Sequence, residues 1–593
     1  MRFPFRALGA NERPIPEQET PAALVNEKES GVATERPPSS HEESDSDSID
    51  KDAQRGVQEV EAMTKVWSGR DLYIAYALIW IIYFFDALQQ GTTSLLTPYV
   101  TSTFDSHGLT PTVNVASSII GGVSKLTLAK ILDVWGRPQG YLFTLFFMVF
   151  GLLLMAVCQN VETYAAAQVF YWVGYNGFSY CITIFIADTS ALKNRGLMLA
   201  YTSSPYIITV WLTGRLADAI YYGPGFRWGF GIFAIITPFI TLPLWWLFTY
   251  NQNKAKKLGV LVREKSGRTT FQSIKHYFFE FDVICLILVT AGFSLFLLPF
   301  SIESYQKYGW KDPLTISFIV VGAVLLALAV LWEKYWAPVK FLPWELLKDR
   351  TVLGACILAA VLFIEYYIWT AYFSSFLQVV LRLDLTTTGY ISNIYTLGSC
   401  FFSIPVGLFI RWTGRFKWIT LLFGVPATIL AIGLLIHLRQ PGASIAGIIV
   451  VEILYAFAGG ACVICEQVAV MAAAAHQHVT VVLAIEGMFS SVGGAIGSTV
   501  AGAIWASVFP VKLKEYLPAS AQANFTEIYG ELEVQLSYPV GSPTHDAIAR
   551  AYGDSLKLMF IAATAITVLG LVGTAMWRDI KVKNIKQVKG RVI

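Results

Sequence analysis

Asp133-Val-Trp-Gly-Arg137 follows the second long apolar run of this chain, and Arg411-Trp-Thr-Gly-Arg415 follows the tenth. Each is a short polar break between two stretches long enough to cross a bilayer. The Gly permits a tight turn. The Arg is suited either to cap helix C-terminal carbonyls or to pair with a carboxylate across a bundle. If two six-span halves flank two additional spans, the loops fall in equivalent places; otherwise they are two generic turns that share Gly-Arg. A charge pair there would latch one face of the bundle in one state and release it in another. The second loop has Arg411 where the first has Asp133, so its latch is expected to be weaker or differently paired.

Hydropathy, taken outward from these loops, gives about fourteen spans. They cover 72–98, 112–133, 140–158, 162–187, 197–220 and 228–250, then 282–303 and 314–335, then 351–380, 388–410, 417–437, 443–470, 479–508 and 556–577. The composition agrees. The 593 residues are 55% hydrophobic and 14% charged, with a mean hydropathy of +0.53. Such a chain is an all-α polytopic membrane protein. Its expected divisions are an acidic disordered tail (1–70), a six-helix bundle (71–250) and a basic loop with two extra membrane helices (251–350). A second six-helix bundle (351–577) with a long outer loop (509–555) and a basic tail (578–593) complete it.

Residues 1–70 hold fourteen acidic and nine basic side chains and little apolar periodicity. Within them, His41-Glu-Glu-Ser-Asp-Ser-Asp-Ser48 is a phosphorylation cluster or simply a solvated tail. No signal peptide is evident. An even span count puts both ends on one side. Cations concentrate there, with seven between Lys254 and Lys275 and six from Arg578 to Arg591, so both termini are expected in the cytoplasm.

The first loop resembles the signature loop of the major facilitator superfamily, and Asp188-Thr-Ser-Ala-Leu-Lys-Asn-Arg-Gly196 resembles that superfamily's second cytoplasmic element. The span plan, the acidic tail, Tyr83-Phe-Phe-Asp-Ala-Leu-Gln-Gln90 and the outer-loop segments Glu527-Ile-Tyr-Gly530 and Tyr538-Pro-Val-Gly-Ser-Pro543 narrow it further. Together they resemble the fungal siderophore–iron transporters, over about residues 70–593. The resemblance implies a major facilitator fold of two six-helix bundles plus two extra transmembrane helices, with alternating access around a central cavity. It implies proton symport of an intact ferric siderophore, most often a hydroxamate. The iron enters as chelated substrate, so no cofactor is called for. The inner-face latch would comprise Asp133, Gly136, Arg137, Asp188, Arg195 and Arg415. Partners are then the ferric siderophore, the proton and the lipid bilayer, with no nucleic acid, and the protein is expected to be a monomer. The expected location is the plasma membrane, with endosomal vesicles as the alternative.

Ionisable residues inside spans are expensive, at least about 2.5 kcal/mol each at the centre, and mark function by default. Asp86 sits about 21 Å along the first span, with Tyr83, Gln89 and Gln90 on or beside its helical face. Glu365 lies midway along the ninth, the first span of the second half, near Trp369, Tyr372 and Phe376. Either carboxylate suits a proton-coupling role, because binding a proton removes the charge that resists reorientation. Lys125 is placed to neutralise Asp86 if the first two helices face each other. Glu452, Glu466 and Glu486 are weaker candidates nearer span ends. Tyr175 and Asn176 of the fourth span are candidate cavity residues, and Phe525, Tyr529, Tyr538 and Tyr552 are candidates for substrate recognition on the outer loop.

Other motifs carry less. Cys462 and Cys465 form a CxxC inside an apolar run, where small packing residues are the ordinary explanation. His476-Gln-His478 has a spacing that separates its imidazoles on a helix, so no metal site is expected. Asn524-Phe-Thr526 is a glycosylation sequon on the expected outer side. Nucleophile elbows, phosphate loops and zinc helices are missing from the sequence, so no catalytic residue is assigned and a secondary transporter is expected rather than an enzyme. The alternative is a fourteen-span proton antiporter exporting drugs, metabolites or glutathione. Its usual paired glycines after a fifth-span proline are replaced here by Tyr201-Thr-Ser-Ser-Pro-Tyr206.

Overall fold

The computed structural model describes residues 55–103, 110–258, 269–299, 309–339 and 343–588, and all regular secondary structure among them is helical. The first half runs through α2 (Gly69–Thr103), α3 (Thr110–Trp135), α4 (Arg137–Val157), α5 (Val161–Thr189), α6 (Leu192–Ser203), α7 (Tyr206–Tyr222) and α8 (Phe226–Lys257). After α9 (Thr270–Glu280) come the extra pair α10 (Val283–Leu297) and α11 (Pro313–Tyr335). The second half comprises α12 (Arg350–Thr370), α13 (Phe373–Val379), α14 (Leu385–Ser392), α15 (Ile394–Thr413), α16 (Val425–Leu438), α17 (Ile445–Ala473), α18 (Val479–Tyr516) and α19 (Pro543–Met576).

Each of the fourteen expected spans coincides with a helix or a broken helix pair. Eleven helices are long and apolar enough to cross a membrane by themselves, or twelve if the pair bent by 48° at residues 281–282 is one span. The other two are α3, which carries Lys125, Lys130 and Asp133, and the α6/α7 pair, interrupted at Ser204-Pro205. Proline lacks the amide hydrogen needed to continue a helix and restarts it instead.

The tail expected to reach residue 70 is corrected at its end. Arg55–Val66 forms helix α1, packed on α8 and α3, and its Val57, Val60, Ala62 and Met63 are buried. Those apolar residues recur at helical spacing, a signal hidden by the acidic surroundings. Gln252 of α8 donates to Glu59 Oε2 at 2.6 Å, and Lys254 Nζ donates to the Val66 carbonyl at 3.4 Å. Residues 1–54, including the serine cluster, lie outside the described residues.

The extra helices pack on each other, and α10 docks on α3. Asp282 fixes that corner: its Oδ1 accepts from the Cys285 amide at 3.2 Å and from Trp332 Nε1 at 2.9 Å. Lys130 of α3 donates to the Glu280 carbonyl at 3.2 Å.

The halves meet along two seams, α3 against α18 and α6–α7 against α15, with α17 also touching α6. Each seam joins the second span of one half to the fifth of the other, as a two-fold related pair would. Helices approach closely at the first seam because Gly122 has no side chain; a β-carbon there would lie 2.1 Å from Ser491 Cβ.

One end of the molecule carries α1, both Gly-Arg loops and the C-terminal segment, and is called here the terminal face. There Gly136 and Gly414 adopt positive φ, 101° and 75°, which L side chains rarely tolerate. Arg137, held in place by Gly136, donates to Asp133 at 2.7 Å and to Asp188 at 3.0 Å, and all three side chains are buried. It also reaches Thr480 Oγ1 of the second half at 3.3 Å, while the Tyr180 hydroxyl donates to the Thr480 carbonyl. Arg195 donates to the Ala187 carbonyl and to Gln587 Oε1, and Gln587 in turn donates to the Met471 and Ala474 carbonyls. The structure thus brings Asp133, Arg137 and Asp188 together, and the Arg137–Thr480 contact crosses between the halves.

Arg415 is a correction. It pairs with Asp579 at 3.8 Å, both side chains partly exposed, and remains within the second half. Without an acidic residue at position 411, the second loop has no local carboxylate to organise it. Arg137→Ala is therefore expected to destabilise the detergent-solubilised protein by about 3–5 kcal/mol, because two buried carboxylates lose their shared cation. Arg415→Ala should cost less than about 1 kcal/mol. Equal thermal unfolding midpoints for the two variants would contradict this account.

Candidate functional site

A cavity of about 400 Å³ lies between the halves. The first half contributes Tyr83 from α2, Ser179 and Thr183 from α5, and Thr202 and Ser203 from α6. The second contributes Tyr366 and Tyr367 from α12, a stripe of Tyr395, Thr396, Ser399, Cys400 and Ser403 along α15, and Gln467 from α17. The stripe recurs every three or four residues and so faces one way. Among the described residues, none that lines the cavity is ionised at neutral pH: the walls are hydroxyls, phenols, one amide and apolar groups.

Behind each wall sits a buried carboxylate. In the first half, Asp86 lies one turn along α2 from Tyr83 and is 7% exposed. Tyr83, Tyr171, Tyr175 and Tyr206 share its electrostatic environment, and it has no ion-pair partner among the described residues. In the second half, Glu365 on α12 is 1% exposed and accepts a 2.9 Å hydrogen bond from the Tyr455 hydroxyl at Oε1. Its Oε2 has no hydrogen-bond partner among the described residues. Tyr455 packs on Tyr395 with ring centroids 4.9 Å apart, and Tyr395 packs on Tyr366 at 5.0 Å. A line of phenols thus runs from the cavity wall to Glu365. Both carboxylates stand on the first helix of their half, as the span order implied, and neither lines the cavity.

Lys125 does not meet Asp86. It faces α18, where a β-carbon on Gly487 would sit 3.0 Å from its ammonium, and its electrostatic partner is Glu486. The helical phase of α3, set by its packing on α18, decides this, and no local sequence signal fixes that phase.

Of the other expected cavity residues, only Tyr83 lines the space; its hydroxyl is 3.2 Å from Ser179 Oγ. Gln89 is buried inside the first half and accepts from Thr237 of α8 at 2.6 Å. Gln90 is half-buried one residue further on. Tyr175 pairs with Tyr206 at 3.0 Å, and Asn176 donates to the Trp172 carbonyl of its own helix at 2.9 Å. Trp369 and Phe376 are 1% exposed in the core of the second half. Tyr372 lies flat on Trp505, centroids 4.0 Å apart and planes 8° apart. These three rings are packing, because the cavity side of α12 belongs to Tyr366 and Tyr367. Sequence reasoning missed Tyr366's neighbours on α15 and the small hydroxyls of α5 and α6. The periodic stripe on α15 was the available signal.

The long loop forms the opposite, far face. Trp505 stacks on Phe509 at 4.1 Å, and Tyr529 joins through Phe509 and Phe525. Tyr552, 2% exposed, donates to Gln535 Oε1 at 2.7 Å and packs on Trp505 and Phe509. Arg382, at φ 55°, donates to the carbonyls of Leu536 and Tyr538. The four aromatic residues expected to recognise substrate are therefore part of a folded cap on the second half. Tyr552 in particular is inside it.

The sequence profile of the Major Facilitator Superfamily matches residues 79–337 and 331–498. "MFS siderochrome iron transporter 1" of Ajellomyces capsulatus is 59% identical over 97% of this chain and 98% of its own length. "Siderophore iron transporter mirB" of Emericella nidulans is 40% identical over 97% of this chain and 94% of its own. "Siderochrome iron transporter 2" of Aspergillus fumigatus is 41% identical over 99% of this chain and 100% of its own. With two helical halves around a central cavity and relatives of this identity along nearly its whole length, the chain belongs to the major facilitator superfamily, among its fungal siderophore–iron transporters.

Proposed function

We propose that this multi-pass membrane protein takes up intact ferric siderophores of the hydroxamate type by proton symport, alternating access between the two faces. The observation that carries this is the uncharged lining of the cavity, hydroxyls and phenols on both walls. Three hydroxamates, one negative charge each, neutralise Fe³⁺, so the chelate has no net charge and many polar edges. Such a cargo suits amphipathic rings and small hydroxyls. A tricatecholate chelate carries three negative charges and needs cations that this lining does not offer. Iron remains inside its chelate throughout, as substrate.

The terminal face is held together by the Arg137 and Gln587 bonds, which must part for release there. Orientation follows the cation distribution, with both termini cytoplasmic, and the plasma membrane is the working location. Asp86 and Glu365 are the proposed carriers of the coupled proton within each half. A proton from an acidic exterior neutralises the carboxylate and lowers the cost of moving its helix.

Cells lacking other siderophore transporters should accumulate an iron-labelled trihydroxamate chelate faster at acidic than at neutral outside pH, and should reject a tricatecholate. Asp86→Asn or Glu365→Gln should bind the chelate but lose acid-driven accumulation. Surface expression without uptake of any chelate would exclude the proposal and favour export. Tyr395→Ala removes a ring shared by the cavity wall and the path to Glu365. It is expected to raise the half-saturating chelate concentration by about tenfold, equivalent to about 1.4 kcal/mol. An unchanged value would place the cargo elsewhere.

A further inference from the structure

Three ionisable side chains lie together on the α3–α18 seam, outside the cavity lining. Lys125 projects from α3 onto Gly487, and Glu486 of α18 is its electrostatic partner. Glu466 of α17 comes within hydrogen-bonding reach of Glu486. Glu466 is 1% and Glu486 6% exposed, and Glu466 Oε2 has no hydrogen-bond partner among the described residues. The groups facing the pair from other elements are Lys125, Cys356 of α12 and Tyr395 of α15. Cys462 and Cys465 lie beside Glu466 on α17, and Ser490 lies one turn along α18. Among these, Lys125 is the single cation.

The charge arithmetic is informative. Two carboxylates in contact hold one proton between them and leave one negative charge. The Lys125 ammonium balances it, so the cluster is neutral in the closed seam. A second proton makes both carboxyls neutral and leaves the half-buried Lys125 ammonium without a counter-charge between packed helices, an unfavourable arrangement. Separation of α3 from α18 relieves it by admitting water. The position fits this role. Lys125 is eight residues before Asp133, about 12 Å along α3, and Glu486 is six residues after Thr480, about 9 Å along α18. The cluster therefore sits directly beneath the latch formed by Arg137, Tyr180 and Thr480. Gln467, the neighbour of Glu466, lines the cavity and so places the pair beside a route for protons.

We propose that Glu466 and Glu486 form a proton-binding site between the halves, with Lys125 as its counter-charge, and that loading this site releases the seam at the terminal face. The proposal rests on the symport reading and assigns where protonation is converted into movement. Asp86 and Glu365, each within one half, do not bridge the seam.

The test is a distance measurement by pulsed electron spin resonance on the full chain in nanodiscs. Labels are placed at the exposed Gln139 and Arg411 after the seven native cysteines are changed to alanine. In the otherwise native chain, lowering the pH from about 7.5 to 5 should convert a short distance into a longer one as the carboxylates titrate. Glu486→Gln should show the long distance at both pH values. Glu466→Gln, which leaves Glu486 as the single carboxylate facing Lys125, should need a lower pH to open. The double variant Lys125→Met with Glu486→Gln keeps the cluster neutral and folded, and should stay short and pH-insensitive. Full pH response in Glu486→Gln or in the double variant would overturn the proposal. Chelate uptake by the native chain at the same two pH values separates the outcomes. Acid-stimulated uptake with an unaltered distance response in the variants removes this site alone, and uptake indifferent to pH removes symport and this site together.

Discussion

Everything in this molecule depends on the cost of holding charge away from water. A membrane interior offers no hydration, so each ionised side chain must be paired, neutralised by a proton, or placed beside a water-filled space. The chain meets that requirement in three different ways. Arg137 is held between Asp133 and Asp188 at the terminal face. Glu365 is capped by the Tyr455 hydroxyl on one oxygen. Glu486 is faced by Lys125 across the seam. Asp86, beside several phenols, and Glu452 have no cation partner among the described residues.

Two-fold organisation distributes these solutions. The halves touch through the second helix of one and the fifth of the other, at two equivalent seams. Small residues allow the backbones close, as at Gly122 against Ser491. Among the described residues, the side-chain hydrogen bonds of Arg137, Tyr180 and Gln587 between the halves lie at the terminal face. The aromatic column of Tyr372, Trp505, Phe509 and Tyr529 makes the far-face loop a rigid extension of the second half.

The second Gly-Arg loop shows how a repeated motif diverges. Gly414, like Gly136, adopts positive φ, but the two turns differ: ψ is 11° at Gly414, a left-handed helical conformation, and 159° at Gly136. The second loop's arginine faces the solvent-exposed Asp579, and position 411 carries Arg where the first loop carries Asp133. The C-terminal segment supplies the missing cross-link, through Gln587 bonded to Arg195 on one side and to the Met471 and Ala474 carbonyls on the other.

Legible in the residues alone were the class, the span positions and the Asp133–Arg137 pairing of the first loop. Apolar run length is set by bilayer thickness, and the residues of the Asp133–Arg137 turn are four apart on one chain, so both are local properties. The sequence also placed Asp86 and Glu365 on the first helix of each half, since span order follows from hydropathy alone. Only the tertiary structure decided which way each helix turns about its axis. That rotation sent Lys125 to Glu486 and away from Asp86, put Trp369 and Phe376 into a core, and left Tyr366, Tyr395 and the α15 hydroxyls facing the cavity. The physical reason is that a membrane helix is apolar nearly all round. Its sequence has little amphipathic moment to orient it, and the choice of face falls to packing against neighbours distant in the chain.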